Sequence, residues 1–312
     1  MVADLIIFPL ALSLLLISAR YFTGSAETIG KWMKLPAFVI GVFIVGIGTS
    51  LPELTSGILS VHKGVSEILP GNLVGSTISN LLLVTGLGIA VNRHDISLGS
   101  TYIYIDLHYL LGSVFAFTVI SYDGVIYPTE ASIGALIFVV YSIYLIRGGK
   151  EEVFHDKEHA HPESFPVKAL LILLAGATGI YYGAEWTVHS IVDMAEILEV
   201  PKSIIALTAL SLGTTLPELV VNITAIKQGK SEMAIGNVLG SCIFNLLLIP
   251  AVASFFGTIT VSPQLLSFSL PVMIGAAVLF YLLAQDKRIS VWEGMMFVML
   301  FLLFMVKIFG QL

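Results

Sequence analysis

Apolar residues run along this chain in long blocks separated by short polar breaks. Ten blocks are long enough to cross a bilayer as helices: 4–22, 36–61, 68–91, 101–120, 129–147, 167–188, 202–226, 232–256, 264–284 and 290–310. About 20 apolar residues span the hydrocarbon core. The blocks lack the continuous polar face that a helix of a soluble bundle turns to water. The pattern predicts an all-α polytopic membrane protein with ten transmembrane helices. Most breaks are short, such as HKGVSE at 62–67, NRHDISLG at 92–99 and YDGVIYP at 122–128. The longest, at 147–166, leaves five spans on each side. The expected organisation is a five-helix unit at 1–147, a linker at 148–166 and a second five-helix unit at 167–312.

Composition agrees with this. The 312 residues are 56% hydrophobic and 12% charged, against about 25% charged in soluble domains. The start, MVADLIIFPLALSLLL, has an acid and no basic stretch before its apolar run, which argues for a first span rather than a cleaved signal. The lone cysteine, Cys242, can form no intramolecular disulfide. The few basic residues are scattered in loops, so the net charge of -6 gives no reason to expect a nucleic-acid partner. The lipid bilayer is the expected partner, and the chain is read as a monomer.

Charge also orients the spans. One set of loops holds Arg20, Lys31, Lys34, Arg93, Arg147, Lys150, Lys157, Lys168, Lys227, Lys230, Lys287 and Arg288; the other holds Lys63, Lys202 and Lys307. Positive residues accumulate on the cytoplasmic side. Twelve against three therefore puts both termini outside and the 147–166 loop in the cytoplasm. That loop carries His155, His159 and His161, which are read as part of a solvated linker.

The chain repeats itself. A shift of 165 residues lays GTSLPEL (48–54) on GTTLPEL (213–219), and GNLVGSTISNLLL (71–83) on GNVLGSCIFNLLL (236–248), with no gap between the blocks. Over 36–83 there are 21 identities in 48 positions. The matches include Gly, Pro, Glu, Asn and Thr, which chance likeness between apolar helices would not supply. Five spans per repeat is an odd number, so the second copy must enter the membrane upside down. Inverted repeats of this kind mark secondary transporters, whose site lies at the repeat interface near the midplane.

The repeated blocks carry the candidate chemistry. Glu53 and Glu218 fall deep within spans, where a carboxylate costs about 2.5 kcal/mol or more on insertion scales. No Lys or Arg lies within the interior of any span near these blocks, so a cation from solution is the simplest partner. Pro52 and Pro217 precede them, and a proline removes the hydrogen bond to the carbonyl four residues back. Those carbonyls belong to Gly48 and Gly213, beside Thr49 and Thr214. Bent backbone is expected in both spans, with carbonyl oxygens turned away from the helix ladder. Helical spacing gathers Gly46, Thr49, Ser50 and Glu53 on one face, and Ser211, Thr214, Thr215 and Glu218 on another. In the next spans Asn72, Ser76 and Asn80 recur every four residues, as do Asn237, Ser241 and Asn245. Gly71, Gly75, Gly236 and Gly240 read as close-packing positions. The ligand set is all oxygen, which suits calcium and sodium and disfavours zinc or copper.

These blocks resemble the alpha-repeats of the calcium/cation antiporter superfamily, and GTSLPE with GNxxGS is most similar to its prokaryotic sodium/calcium exchanger branch. The resemblance covers nearly the whole chain in span number and repeat layout. It implies an alternating-access antiporter that is not an enzyme, uses no cofactor and carries Ca²⁺ and Na⁺. Calcium would lie between Glu53, Glu218 and the carbonyls of Thr49 and Thr214. Sodium would use overlapping oxygens, including those of Ser50, Ser76, Ser211, Thr215 and Ser241. Spans one and six would slide against the other eight. Asn245 stands where some relatives, including potassium-dependent ones, carry Asp, which favours potassium independence. Gly46 and Ser211 break the symmetry between the repeats, and Ser211 adds a hydroxyl.

Three other readings compete. A proton/calcium antiporter of the same superfamily usually has Asn in place of the Thr-Ser pair before the Glu. A passive cation channel favours rings of ligands from symmetric subunits. An intramembrane enzyme would need a Ser-Lys or Ser-His pair or a His-rich metal motif within the spans, and none is present.

Overall fold

The structure is a computed structural model that describes residues 2–92, 95–97, 103–155, 164–197 and 202–309. Within these, the side chains of 2–6, 96–97, 103–104, 148–155, 187–188, 191–192, 194–197, 202–214 and 309 are not described. His159 and His161 lie outside the described residues.

The apolar blocks fold as helices. They are α1 (Val2–Trp32), a bent pair α2 (Ala37–Thr49) and α3 (Leu51–His62), α4 (Ile68–Asn92), α5 (Ile103–Ile120), α6 (Pro128–His155), α7 (Val167–Ile197), α8 (Lys202–Lys227), α9 (Ser231–Ser254), α10 (Leu265–Ala284) and α11 (Val291–Phe309). Among the described residues seven helices are long and apolar enough to cross a membrane, or eight if the bent pair is one span. A shorter apolar helix covers Ile105–Ile120. Several helices outrun the apolar blocks: α1 continues to Trp32, α7 to Ile197, and α6 to His155, inside the expected linker. Hydropathy marks only the stretch that lipid requires. Intrahelical hydrogen bonds carry each helix on through more polar turns, and on α1 several residues of those turns, Thr23, Ser25 and Ile29 among them, are buried in the bundle.

Helix α9 is the centre of the bundle, with 89% of its apolar window buried, followed by α4 at 72%. The outer helices α1, α6, α7, α10 and α11 are buried over 22–33% of theirs. Thus the two helices that carry the GNxxGS blocks are the ones shielded from lipid. Packing at α9 is backbone on backbone. A Cβ on Gly236 would lie 2.2 Å from the Phe38 carbonyl oxygen, and one on Gly240 would lie 2.6 Å from Val42. Gly41 and Gly46 of α2 press in return on Met233 and Asn237. Small residues are what let helices approach this closely. At Gly71 and Gly75 no described atom comes within 4 Å of such a Cβ. Residues 203–207, which the repeat would set opposite them, have no described side chains.

Two short strand pairs stand outside the all-α expectation. Strand β1 (Ile96–Ser97) pairs antiparallel with β4 (Arg288–Ile289), and β2 (Val125–Ile126) with β3 (Ile259–Thr260). The partners are Ile96 with Ile289 and Ser97 with Arg288, then Val125 with Thr260 and Ile126 with Ile259. Adding 163 to β1 and β2 gives the positions of β3 and β4, so each ladder ties a loop of one half to a loop of the other. Runs of two residues are too short to leave a periodic signature in sequence. Side chains reinforce both ladders: Arg288 pairs with Asp95, and Ser66 Oγ lies 3.0 Å from Thr260 Oγ1.

Candidate cation site between the repeated blocks

The site begins at the break between α2 and α3. Residues Gly41–Gly46 form a π-helical stretch and Ser50 leaves the helical region, with φ -89° and ψ 4°. The helix axis turns by 42° there. Pro52 has no N–H to give the Gly48 carbonyl, so the ladder is already open at this turn. Glu53 follows in the first turn of α3. The second repeat differs. Although Pro217 occupies the matching place, α8 runs unbroken from Lys202 to Lys227. The expected pair of bent spans is therefore one broken span and one continuous helix.

Glu53 and Glu218 come together, each 1% exposed and near enough for their charges to interact. The Thr49 hydroxyl lies beside Glu218. Around them Ser50, Ser76, Asn80, Thr215, Ser241 and Asn245 are all buried. Hydrogen bonds knit the two halves. Ser241 Oγ donates to the Gly46 carbonyl at 3.2 Å, Asn245 Nδ2 to Ser76 Oγ at 3.1 Å, and Thr49 Oγ1 to Asn237 Oδ1 at 3.3 Å. The predicted site residues of α2, α3, α4 and α9 thus converge with Thr215 and Glu218 of α8. The side chains of Ser211 and Thr214 lie outside the described ones.

What these bonds leave over defines the chemistry. Both oxygens of Glu53, both of Glu218, Ser50 Oγ, Thr215 Oγ1 and Asn245 Oδ1 are buried without a hydrogen-bond partner among the described residues. So are Asn80 Nδ2 and Asn237 Nδ2. Buried polar groups are nearly always paired, and an uncompensated buried carboxylate is far costlier than a neutral group. Here two carboxylates and three further oxygens share one place. Such a set fits hard cations, which take several oxygens at once; the chain's one thiol, Cys242, is buried in the apolar core near Glu218.

Sequence reasoning passed over two buried groups. Asn222 donates to the Ala234 carbonyl at 2.8 Å and leaves its own oxygen orphaned. Asp106 is fully buried beside Tyr141, with neither carboxylate oxygen in a hydrogen bond of ordinary geometry. An acid within an apolar span was the available signal for Asp106. The matching position in the second repeat is Pro271, so the internal repeat does not single this acid out.

A cavity of about 520 Å³ reaches the site from one side. Its walls include Phe22 of α1, Thr49 of α2, Pro52 and Ser56 of α3, and Tyr181 of α7.

The sequence model described as sodium/calcium exchanger protein matches residues 4–147 and 168–310. The chain belongs to the sodium/calcium exchanger family. Within that family it is 29% identical to the sodium/calcium exchanger MaX1 of Methanosarcina acetivorans over 98% of both chains. It is also 30% identical to an uncharacterized membrane protein of Methanocaldococcus jannaschii over 95% of both. Among solved structures, the sodium-calcium exchanger NCX_Mj superposes with a TM-score of 0.85 at 28% identity, covering 98% of this chain and 99% of that one. Family membership makes the protein a multi-pass membrane transporter of the sodium/calcium antiport class, in keeping with the resemblance carried by the repeated motifs.

Proposed function

We propose that this chain exchanges Na⁺ for Ca²⁺ by alternating access at the site built around Glu53 and Glu218. One observation carries the reading: oxygen atoms from both repeated blocks, two carboxylates among them, meet in one buried place without a hydrogen-bond partner among the described residues. Calcium takes 6–8 oxygens in flexible geometry, and the two carboxylates, the freed backbone carbonyls and the hydroxyls can supply them. Sodium uses the same oxygens with Ser50, Ser76, Ser211, Thr215 and Ser241, so the two ions compete and exchange follows.

The full architecture belongs to the same proposal. Ten spans form inverted units at 1–147 and 167–312, with both termini outside and the 148–166 linker in the cytoplasm. Support comes from the grouping of charges. Glu27 on α1 bonds Lys31 at 2.7 Å and Lys230, in the α8–α9 turn, at 2.8 Å, while Asp95 bonds Arg288. Loops assigned to the basic side are thus in contact with each other. The cavity beside Thr49 is lined by α3 residues that follow the break, which in this topology is the outer half, so it serves as the outer access path.

The carboxylates carry a formal charge of -2, since Asn80 and Asn245 are neutral. One Ca²⁺ or two Na⁺ neutralise that charge. A third Na⁺ held by hydroxyls and carbonyls makes exchange electrogenic, and no site demands potassium. The test is Ca²⁺ uptake into liposomes with an outward Na⁺ gradient and an imposed potential. Moving one charge is worth about 2.3 kcal/mol per 100 mV, so uptake should follow the potential. Flux indifferent to it means two-for-one exchange, and flux on a pH gradient without Na⁺ means proton coupling. A strict potassium requirement would remove the argument from Asn245.

A further inference from the structure

Helices α1 and α7 share the largest contact in the bundle. Glycines of α7 seat it: a Cβ on Gly176 would lie 3.0 Å from Phe22 Cβ, and one on Gly183 would lie 2.8 Å from the Leu15 nitrogen. Small residues bring two helix backbones together in this way, so α1 and α7 form one unit. The strand ladders tie the α4–α5 loop to the α10–α11 loop and the α5–α6 loop to the α9–α10 loop, and they leave this unit out. Phe22 and Tyr181 of the unit wall the cavity that reaches Thr49.

Beyond Phe22, towards its other end, α1 is fastened to the core by charge. Glu27 Oε2 lies 2.8 Å from Lys230 Nζ, and Glu27 Oε1 lies 2.7 Å from Lys31 Nζ. Lys230 is set by its backbone. The turn between α8 and α9 passes through Gly229 at φ +75°, and the Lys230 N–H donates to the Ala225 carbonyl at 2.9 Å. The Lys230 side chain, 18% exposed, also donates to Gln228 Oε1 at 2.5 Å. Partly shielded pairs of this kind are screened much less by salt than exposed ones. The turn joins the helix of Glu218 to the helix of Ser241, so the pair links α1 to the elements that hold the cation site.

This pair depends on the height of α1. One helical turn is about 5.4 Å. A slide of one turn in one direction sets Lys31 opposite Lys230, and two ammonium groups repel. A slide in the other direction sets Thr23 there, which carries no charge. Either way the attraction is lost. The repeat supplies no such pair at the opposite end of the unit: Val65 matches Lys230, and Val192 matches Glu27. Asp193, next to Val192, lies 3.2 Å from His189 of its own helix.

We propose that Glu27 and Lys230 form a latch that holds the cytoplasmic end of α1 against the core and so favours the outward-open state of the exchanger. The latch rests on the alternating access and the topology argued above. Inward opening requires it to break. It therefore sets how the carrier divides between its two faces, not how tightly the central site holds an ion.

Isotopic Ca²⁺/Ca²⁺ exchange in right-side-out and everted membrane vesicles tests it, with the half-saturating Ca²⁺ concentration read at each face. Apparent affinity at a face scales with the fraction of carriers open to it. Lys230→Gln and Glu27→Gln should each lower the cytoplasmic value by about fivefold, the upper range for one ion pair outside the deep interior. The outer value should change by less than about twofold, because most carriers already face that way. The double variant Glu27→Lys, Lys230→Glu reverses the pair and should restore the wild-type ratio of the two values. Size-exclusion profiles matching wild type show that the variants fold. An unchanged ratio in both Gln variants, or an equal shift at both faces, overturns the latch. A fall confined to the outer face overturns the topology on which it rests. Absence of Ca²⁺ exchange in wild type overturns the exchange reading itself, and the wild-type assay alone tells that failure from the other two.

Discussion

GTSLPEL and GTTLPEL differ by one hydroxylated residue for another, yet the first sits at a 42° break and the second inside an unbroken helix. Both carry the proline, so the proline opens the ladder without deciding the bend. The neighbouring residues differ more. Gly41 and Gly46 precede the first motif, whereas Ala206 and Ser211 hold those places before the second. Where glycine stands, α9 presses backbone to backbone against α2: a Cβ on Gly41 would lie 2.1 Å from the Met233 carbonyl oxygen. The π-helical stretch Gly41–Gly46 lies along that contact. The difference teaches that tertiary pressure on a glycine-bearing helix converts a permissive sequence into a broken one.

The strongest test of what the halves still share is removal of their carboxylates. Glu53→Gln and Glu218→Gln should each cut Na⁺-driven Ca²⁺ uptake by ~100-fold or more, as expected when one partner of a buried charged assembly, worth about 3–5 kcal/mol, is lost. The same variants should lose stabilisation by Ca²⁺, which in wild type reaches about 2.7 kcal/mol at a concentration 100 times Kd. Unimpaired uptake in either variant would remove that residue from the site.

The prolines should separate the halves. Pro52→Ala restores an N–H opposite the Gly48 carbonyl and should straighten the break, lowering uptake by ~10-fold or more. Pro217→Ala lies in a helix that is already continuous, so it should raise the unfolding midpoint and cost uptake less. An interior proline opposes a helix by about 3 kcal/mol. Equal losses in the two variants would show that the break is not what sets α2 and α3 apart.

A milder comparison uses Ser50 and Thr215, which are matched positions with orphaned hydroxyls in both halves. Replacing either by Ala should weaken Na⁺ by roughly tenfold, since one hydrogen-bond-like contact is worth about 1–1.5 kcal/mol. The readout is the Na⁺ concentration that half-blocks Ca²⁺ uptake. A change confined to one variant would mean that the two hydroxyls serve different ions.

The smallest effects concern packing. Gly236→Ala should destabilise by about 1–3 kcal/mol, the usual cost of overpacking, because its Cβ meets the Phe38 carbonyl at 2.2 Å. Gly71→Ala, with no described atom within 4 Å, should leave the unfolding midpoint near that of wild type. A large drop there would restore symmetric glycine packing in both halves.

Much of the site was legible because it repeats. A carboxylate, a proline and spaced amides recurring at one offset inside apolar blocks can be read without coordinates, and Glu53, Glu218, Ser76 and Asn245 do converge. Asp106 was equally expensive in its span but occurs once, so the repeat gave it no emphasis. The strand ladders escaped because two residues hold no period, and the helix extensions of α1 and α7 because apolar length measures lipid, not helix.

By itself the sequence determined that the chain is a multi-pass membrane protein, that its motif blocks recur at one offset, and which side chains are candidates for the cation chemistry. Those follow from composition and spacing, which are local properties of the chain. Only the tertiary structure decided that α9 and α4 lie innermost, that α2 breaks while α8 does not, and that hydrogen bonds join Gly46 to Ser241 and Ser76 to Asn245. These depend on how closely two distant backbones approach, and a contact across 169 or 195 residues is set by packing rather than by any pattern along the chain.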